Sequence, residues 1–258
     1  MNITAADKYS FQFLSGNALK ILALISMTVD HIGMILFPRV YVLRIIGRLA
    51  FPIFAYMVAE GCYYTRNKKK YIGLIFAVGV LCQIIAYVSQ QTLYMCIMIT
   101  FTLSLLIIFS LQKAIPDRNR HDGDTSRSVN PVWCVITAVL IGVSFFLTEI
   151  LENLIPSTDF HIDYGFFGVM LPVLVYVPNL FLKEKNAFCR LIQTAILAIW
   201  ILLLWRTCNR YEWFAVFSAV LLLFYNGERG RLSLKYLFYI YYPAHLGVLY
   251  LIGMLTQK

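Results

Sequence analysis

Four ionisable side chains lie inside an apolar stretch near the amino terminus, between residues 18 and 65. They are Asp30, His31, Arg48 and Glu60. The surrounding residues are hydrophobic enough to cross a bilayer twice, and an ionisable group on a lone helix at the bilayer centre costs about 3 kcal/mol on insertion scales. Groups kept at that cost face protein or water and pair with one another. We therefore interpret this helical hairpin as the candidate site.

His31 is the member of this set best suited to acid–base chemistry, because an imidazole titrates near neutral pH. Asp30 precedes it directly but points about 100° away around a helix, so it is poorly placed to orient the ring. Asp30 and Arg48 reach similar depths in an antiparallel hairpin, and we predict that they form an ion pair. Glu60 reaches the depth of Lys20 in the same way. Charge pairs that only hold the hairpin together are the alternative interpretation.

Composition indicates that these helices belong to a membrane protein. The chain has 258 residues, of which 60% are hydrophobic and 14% charged, and its mean hydropathy is +0.72. These values exceed what a soluble core needs. A spanning helix needs about 20 apolar residues. We therefore predict an all-α, polytopic bundle formed by one domain over residues 1–258, with about nine spans and a range of eight to ten. The spans are 18–37, 45–65, 71–88, 93–112, 131–148, 164–182, 187–205, 211–225 and 236–254.

Basic residues divide unevenly between the two faces of this bundle. Sixteen lie on or near one side and five on the other, counting Lys20 and Arg190 with the end of the span that they adjoin, and Arg48 is left inside a span. Cytoplasmic loops carry the excess of Lys and Arg, so we predict a multi-pass protein of a bacterial cell membrane with a cytoplasmic amino terminus. The net charge of +9 then reflects orientation, and no nucleic-acid partner is expected.

Two loops stand out in this topology. Residues 113–130 mix charges with Gly, Ser and Pro and are predicted to form a flexible cytoplasmic loop. Residues 149–163 carry four carboxylates and no Lys or Arg, and they fall on the outer face, where they could attract a cationic acceptor. The cysteines show no CxxC pair and are interpreted as packing residues, and no metal site is predicted. They are Cys62, Cys82, Cys96, Cys134, Cys189 and Cys208.

Several motifs in the same order along the chain resemble one known family. ALKILALISMTVDHIGMILF (18–37) is followed by LRIIGRLAFPIFAYMVAEGCYYTRNKKKY (43–71), DYGFFGVM (163–170) and LKYLFYIYYPAHLGVLYLI (234–252). Together they resemble the TraX family, named after the F-pilin acetylase, over essentially the whole chain. The resemblance implies transfer of an acetyl group from acetyl-CoA to an acceptor. In the pilin case the acceptor is the terminal amine of a small membrane-inserted protein.

A weaker resemblance concerns the acyltransferase-3 type of membrane acyltransferases, which have an Arg and a catalytic His at a fixed spacing in their first span. Lys20 and His31 are separated by the same ten residues. Lys in place of Arg departs from that pattern and supplies a point charge rather than a bidentate ligand. We expect the CoA phosphates near Lys20 and the thioester near His31. His31 either deprotonates the acceptor or takes the acetyl group itself.

The remaining candidates come from later spans. Asp163, at the outer start of the sixth span, is predicted to orient His31 or to hold an acceptor amine; alternatively it caps that helix. Tyr242 and His245 lie beside Pro243 in the ninth span, where they line the donor path or are simply satisfied polar residues. The predicted catalytic residues are thus His31, Asp30, Arg48 and Asp163, and the predicted cofactor-binding residues are Lys20, Glu60, Tyr242 and His245.

An alternative function is a proton-coupled transporter of a small solute, which would also bury Asp, His, Arg and Glu. Transporters of that kind usually show repeated halves with broken helices in matching positions, and no such repeat is found in this sequence. The favoured interpretation therefore expects three partners. They are the lipid bilayer, acetyl-CoA as acyl donor, and an acceptor that is either a small membrane protein or a cell-surface glycan.

Overall fold

The computed structural model describes residues 9–115, 128–182, 186–204, 211–230 and 235–256. Within these residues the backbone is almost entirely helical. The predicted loop 113–130 falls largely outside them and stays a prediction. The helices are α1 (Gly16–Ile35), α2 (Tyr41–Gly47), α3 (Ala50–Tyr64), α4 (Lys68–Gln90), α5 (Ile97–Ala114), α6 (Pro131–Phe145), α7 (Leu151–Leu154), α8 (Gly165–Tyr176), α9 (Pro178–Phe181), α10 (Ala187–Leu204), α11 (Phe217–Leu223) and α12 (Lys235–Thr256).

Seven apolar helical stretches in the described residues are long enough to cross a membrane, and two are shorter. The shorter two are Gly165–Phe181 and Glu212–Leu223. All nine follow the order of the predicted spans, and the all-α class is confirmed. The second stretch, Tyr41–Tyr64, begins earlier than the predicted 45–65, so Arg44 is helical instead of lying in a loop.

Local sequence explains where the main helices begin. Ser15 caps α1, with its hydroxyl oxygen accepting from the Ala18 N–H at 3.3 Å. Asn67 caps α4 in the same way through the Lys70 N–H at 2.9 Å. Such side chains satisfy backbone donors that have no partner inside the helix. At α6 an Asn cap is followed by Pro131 at the first helical position, where the missing N–H costs nothing.

The segment after α6 is irregular. Residues Phe146–Ile150 form one turn of π-helix before α7. Two short strands, β1 (Tyr94–Met95) and β2 (His161–Ile162), then pair in parallel and tie the loop after α7 to the start of α5. The helical stretch that contains the predicted span 131–148 extends to Leu154. The pairing of β1 with β2 anchors the acidic stretch 149–163 to the bundle.

The centre of the bundle is formed by the second and fourth long stretches. In both, 61% of the most apolar window is buried inside the protein, against 22% for α4 and 17% for Pro131–Leu154. A helix that is apolar all round yet poorly buried by protein is one that faces lipid. The hairpin 18–65 thus has its second half at the middle of the molecule, where its charged residues meet helices from the rest of the chain.

Candidate functional site

Four charged side chains from three parts of the chain form a continuous network. Asp30 on α1 accepts from Arg44 Nη1 through Oδ2 at 2.6 Å, and from Arg48 Nη2 through Oδ1 at 2.7 Å. Arg48 Nη1 also pairs with Glu212 Oε1, just before α11. The predicted Asp30–Arg48 pair is confirmed. Positive and negative groups alternate along the network and cancel, which suits an apolar surrounding.

The break between α2 and α3 allows α1 to approach closely. Ser26 on α1 donates its hydroxyl to the carbonyl of Ile46 at 2.7 Å and, at 3.2 Å, to that of Gly47. A Cβ atom at Gly47 would lie 2.1 Å from Asp30 Oδ1, closer than any real contact. Glycine is therefore required where α2 ends, because the Asp30 carboxylate occupies the space of a side chain.

His31 lies against a second histidine, His245 on α12. The two rings are 5.0 Å apart between centroids and inclined at 66°, and His31 Nδ1 lies 3.3 Å from His245 Nε2. Asp163 was expected to orient His31, but its Oδ1 accepts from the hydroxyl of Tyr94 at 2.8 Å. The ring partner of His31 is thus His245 of the ninth span, a residue predicted from the sequence to line the donor path.

For the neutral form of each histidine, the hydrogen bonds indicate which ring nitrogen carries the proton. His245 Nδ1 lies 2.9 Å from the carbonyl oxygen of Tyr241, and His31 Nδ1 lies 2.9 Å from that of Met27. A carbonyl oxygen only accepts, so both Nδ1 atoms carry the proton. His245 Nε2 then holds a lone pair and shares the N–H of His31. It follows that His31 Nε2 carries a lone pair, as a base or nucleophile requires.

One further contact joins α12 to α1 beside this pair, and two aromatic contacts within α12 pack against the His245 ring. The hydroxyls of Thr28 and Tyr241 are hydrogen-bonded at 2.7 Å, and the Tyr241 ring stacks on His245 with centroids 5.2 Å apart. Tyr242, which is buried, meets the edge of the same ring at 5.5 Å. The predicted donor-path residues Tyr242 and His245 are therefore adjacent to each other, and His245 lies next to His31.

Lys20 and Glu60 lie within electrostatic range of each other, and each also has another neighbour. Glu60 Oε1 accepts from the hydroxyl of Tyr225 at 2.9 Å. The Lys20 ammonium lies 5.6 Å from the ring centroid of Phe238, within the range of a cation–π contact. Among the described residues the two do not form a salt bridge. Lys20 lies about 16 Å along α1 from His31.

The start of α8 is capped from another helix. Glu149 Oε1 accepts from the Phe166 N–H at 2.9 Å, reaching across from the π-helical turn. Tyr164 is the residue before α8 and has a φ of 62°, which is uncommon for a residue with a side chain. The alternative that Asp163 caps this helix is therefore wrong, because its carboxylate bonds to Tyr94.

The other two carboxylates of the acidic stretch are also engaged. Glu152 Oε2 lies 2.7 Å from His161 Nδ1. Asp159 accepts from the Leu93 N–H at 2.9 Å and from the Thr92 hydroxyl. These hydrogen bonds favour the ionised form and lower the pKa of Asp159. The carboxylates of 149–163 are thus committed to protein partners, which weakens their interpretation as an attractor for a cationic acceptor.

An open cavity of about 260 Å³ lies beside the Asp30–Arg44 pair. Sequence reasoning missed it, along with the roles of Arg44 and Glu212. One signal for Glu212 existed, since a carboxylate opens a predicted span of only 15 residues, 211–225. The cavity is lined by Gly33, Met34, Pro38, Tyr41, Arg44 and Tyr211.

Fold and site together define a polytopic helical membrane protein with a buried, charge-balanced network and a pair of facing histidines. The chain belongs to the TraX family, whose sequence model, described as TraX protein, matches residues 15–253. The family suggested by the sequence motifs is therefore confirmed.

Two relatives are informative. The chain is 26% identical over 260 residues to a "Probable fimbrial assembly protein FimC, serogroup H1" of Dichelobacter nodosus, covering 93% of this chain and 96% of that protein. It is 35% identical over 114 residues to an uncharacterized protein of Rickettsia prowazekii, covering 44% and 42% of the two chains. No solved structure matches the chain.

Proposed function

We propose that the protein is an acetyltransferase of the cell membrane, which takes an acetyl group from cytoplasmic acetyl-CoA and transfers it to an acceptor near the outer leaflet. The observation that carries the proposal is the placement of His31 Nδ1 against the Met27 carbonyl oxygen and His245 Nε2, which makes Nε2 the lone-pair nitrogen of the neutral ring. Membership of a family named after a pilin acetylase supports it. The fimbrial assembly name of one relative is consistent with an acceptor at the cell surface.

In the simpler route His31 acts as a general base. Its Nε2 takes a proton from an amine or hydroxyl of the acceptor while that nitrogen or oxygen bonds to the thioester carbonyl carbon. The tetrahedral intermediate collapses with cleavage of the carbon–sulfur bond. His31 then gives its proton to the departing thiolate, which leaves as CoA. No redox partner is needed.

A second route passes through the enzyme. His31 Nε2 attacks the carbonyl carbon of the thioester, the carbon–sulfur bond breaks, and CoA leaves as the thiolate. The acetyl-imidazolium then gives its acetyl group to the acceptor nitrogen or oxygen, whose proton passes to the thiolate, and His31 returns to its starting form. In both routes Nδ1–H keeps its bonds to the Met27 carbonyl and His245, so the ring does not turn during the reaction.

The charge network is assigned a positioning role. Asp30 is bonded to both Arg44 and Arg48. Arg48 also donates from Nε to the carbonyl oxygen of Arg44 at 3.2 Å and from Nη1 to Glu212. These bonds hold α1 against α2. They thereby also hold His31, which follows Asp30 on α1. The predicted catalytic roles of Asp30 and Arg48 are thus best explained through His31.

The donor is expected to enter from the cytoplasmic end of α1. Lys20 would attract the CoA phosphates there as a point charge. The pantetheine arm would run along α1, past Tyr242 and His245, to bring the thioester to His31. A long, thin donor suits the distance of about 16 Å between Lys20 and His31.

The proposal is tested with the full-length protein purified in detergent, by measuring acetyl-CoA binding and acetyl transfer in parallel. His31→Ala is expected to bind acetyl-CoA normally and to lose about 10² to 10⁴ in turnover, as for loss of a general base. Lys20→Ala is expected to weaken donor affinity with little change in turnover at saturation, because it removes uniform binding. His161→Ala is the matched histidine control and should retain full turnover.

Near-normal turnover by a folded His31→Ala protein would refute the catalytic assignment. The transporter alternative predicts a different pattern. It expects no binding of acetyl-CoA by the wild type, and proton-dependent solute uptake by proteoliposomes that His31→Ala abolishes.

A further inference from the structure

Arg44 presents unused hydrogen-bond donors to the cavity beside the charge network. In the described part of the chain, the hydrogen bonds of its guanidinium all run through Nη1, to the carbonyl oxygen of Asp30 at 3.3 Å and to Oδ2 at 2.6 Å. Its side chain is 26% exposed, whereas that of Arg48 is 8% exposed and bonded through all three nitrogens. Within the described residues, the Nε and Nη2 donors of Arg44 are therefore left for a ligand.

The walls of the cavity suit a ligand with an uncharged part. Tyr41 and Tyr211 stack with ring centroids 5.8 Å apart and an angle of 27° between the planes. Their faces and the side chain of Met34 offer apolar surface next to the guanidinium. Gly33 also lines the cavity and lets α2 approach α1 closely there, because a Cβ atom at Gly33 would lie 2.8 Å from that of Leu43.

Charge complementarity decides the sign of the ligand. Among the described residues that line the cavity, Arg44 is the charged one, and the carboxylates of 149–163 are bonded to other protein groups. One nitrogen of the Arg44 guanidinium is held by the Asp30 carboxylate. The remaining N–H donors of this planar group have a fixed geometry, which matches the oxygens of a phosphate or a carboxylate. A cationic ligand would meet like charge here.

We propose that this cavity is the acceptor subsite and that it recognises an oxyanion, a phosphate or carboxylate carried by the acceptor. The assignment of the bound molecule as acceptor rests on the acetyltransferase proposal. Met34, which lines the cavity, lies one turn beyond His31 on α1, about 4.5 Å along the helix axis. The volume of about 260 Å³ falls just below the range of about 300–1,000 Å³ for drug-sized ligands and accommodates one headgroup or one sugar.

An oxyanion of this kind has two sources, an outer-leaflet lipid headgroup or a water-soluble acidic molecule. The test uses the full-length protein in neutral detergent. In the first arm, native mass spectrometry measures binding of phosphatidylglycerol. In the second arm, calorimetry measures binding of glycerol 1-phosphate. Binding in the first arm only assigns a lipid-borne acceptor, and binding in the second arm assigns a free one.

Variants locate the binding. Arg44→Ala is expected to weaken binding about tenfold to a hundredfold, the range for hydrogen bonds to a charged group, and Arg44→Lys should recover part of the loss. Arg39→Ala is the matched control, since it removes the same charge from an exposed position in the loop between α1 and α2 and does not line the cavity. It should change binding by less than about twofold. Tyr41→Ala, at an exposed residue, weakens binding without touching the charge network.

Equal losses for Arg39→Ala and Arg44→Ala would show non-specific attraction and overturn the proposal, as would the absence of binding in both arms. Acetyl-CoA binding is measured on the same preparations. A wild-type protein that binds the oxyanion through Arg44 but neither binds nor consumes acetyl-CoA would refute the acetyltransferase proposal and the acceptor role, and would leave an anion site of another purpose.

Discussion

At the scale of single residues, Arg48 is where the buried charges meet. Its side chain is 8% exposed and touches two carboxylates, Asp30 and Glu212. Asp30 has a second cation in Arg44, whereas Glu212 is 2% exposed and its Oε2 has no hydrogen-bond partner in the described residues. Loss of Arg48 would therefore strand Glu212 more than Asp30. Breaking a buried pair by removing one partner is costly because the other charge stays buried.

Arg48→Met is predicted to lower the free energy of unfolding by about 3–5 kcal/mol, as for other broken buried pairs. Arg44→Met should cost clearly less, since Asp30 keeps Arg48. The double variant Arg48→Met with Glu212→Gln should recover much of the loss, because no carboxylate is then stranded. Equilibrium unfolding in mixed detergent micelles gives the values. Strictly additive losses in the double-mutant cycle would contradict the coupling.

The site residues differ in how far the sequence could reveal them. Asp30 and Arg48 belong to one hairpin, so the rise of a helix was enough to match their depths. His245 and Glu212 lie 214 and 164 residues from their partners His31 and Arg48. Local periodicity says which face of a helix is apolar, but it does not say which distant helix covers that face. The histidine pair was therefore beyond sequence reasoning.

At the scale of elements, the contact between α1 and α2 depends on small residues. Without a hydrophobic driving force between helices in lipid, close backbone approach supplies packing and hydrogen bonds. Gly47 and Gly33 allow that approach, and Ser26 adds a hydrogen bond across it. The break after Gly47 turns the chain into α3, so the second predicted span is two helices. Apolar length alone gave its extent but not its break.

Gly47→Ala is predicted to destabilise the protein by about 1–3 kcal/mol or more, the cost of overpacking, because the new Cβ atom would collide with Asp30. Gly73→Ala in α4 is the matched control, since nothing lies within 4 Å of its added Cβ. That change should be neutral or stabilise by about 0.5–1 kcal/mol through helix propensity. Thermal unfolding in detergent compares the two, and equal effects would contradict the packing argument.

At the scale of the whole molecule, orientation in the membrane decides which side the donor and acceptor use. The nine predicted spans agree in order with the nine helical stretches of the described residues. Their number was readable from the sequence, because apolar length is a strong signal. Two stretches are too short to span alone by length. The order of helices around the centre follows from side-chain fit, which composition does not encode.

The orientation is checked by labelling. Single cysteines at Ser128 and Ser157 in a cysteine-free background should differ in intact cells, with an impermeant thiol reagent reacting at 157 and not at 128. The expectation follows from the excess of Lys and Arg on one face. Labelling after lysis controls for reactivity at both positions. Reaction at 128 alone in intact cells would reverse the topology, and the acetyl-CoA side with it.

The ion pair between Arg48 and Glu212 can form only late in the synthesis of the chain. The two residues are 164 positions apart, and ribosomes add about 5–20 residues per second, so Glu212 is made roughly 8–33 s after Arg48. During that interval the first hairpin holds Arg44 and Arg48 against Asp30 alone and carries one uncompensated positive charge. Membrane insertion of the hairpin and closure of its charge network are thus separate events in time. A nascent chain that stops before Glu212 keeps that charge, and membrane quality control has a defect to recognise.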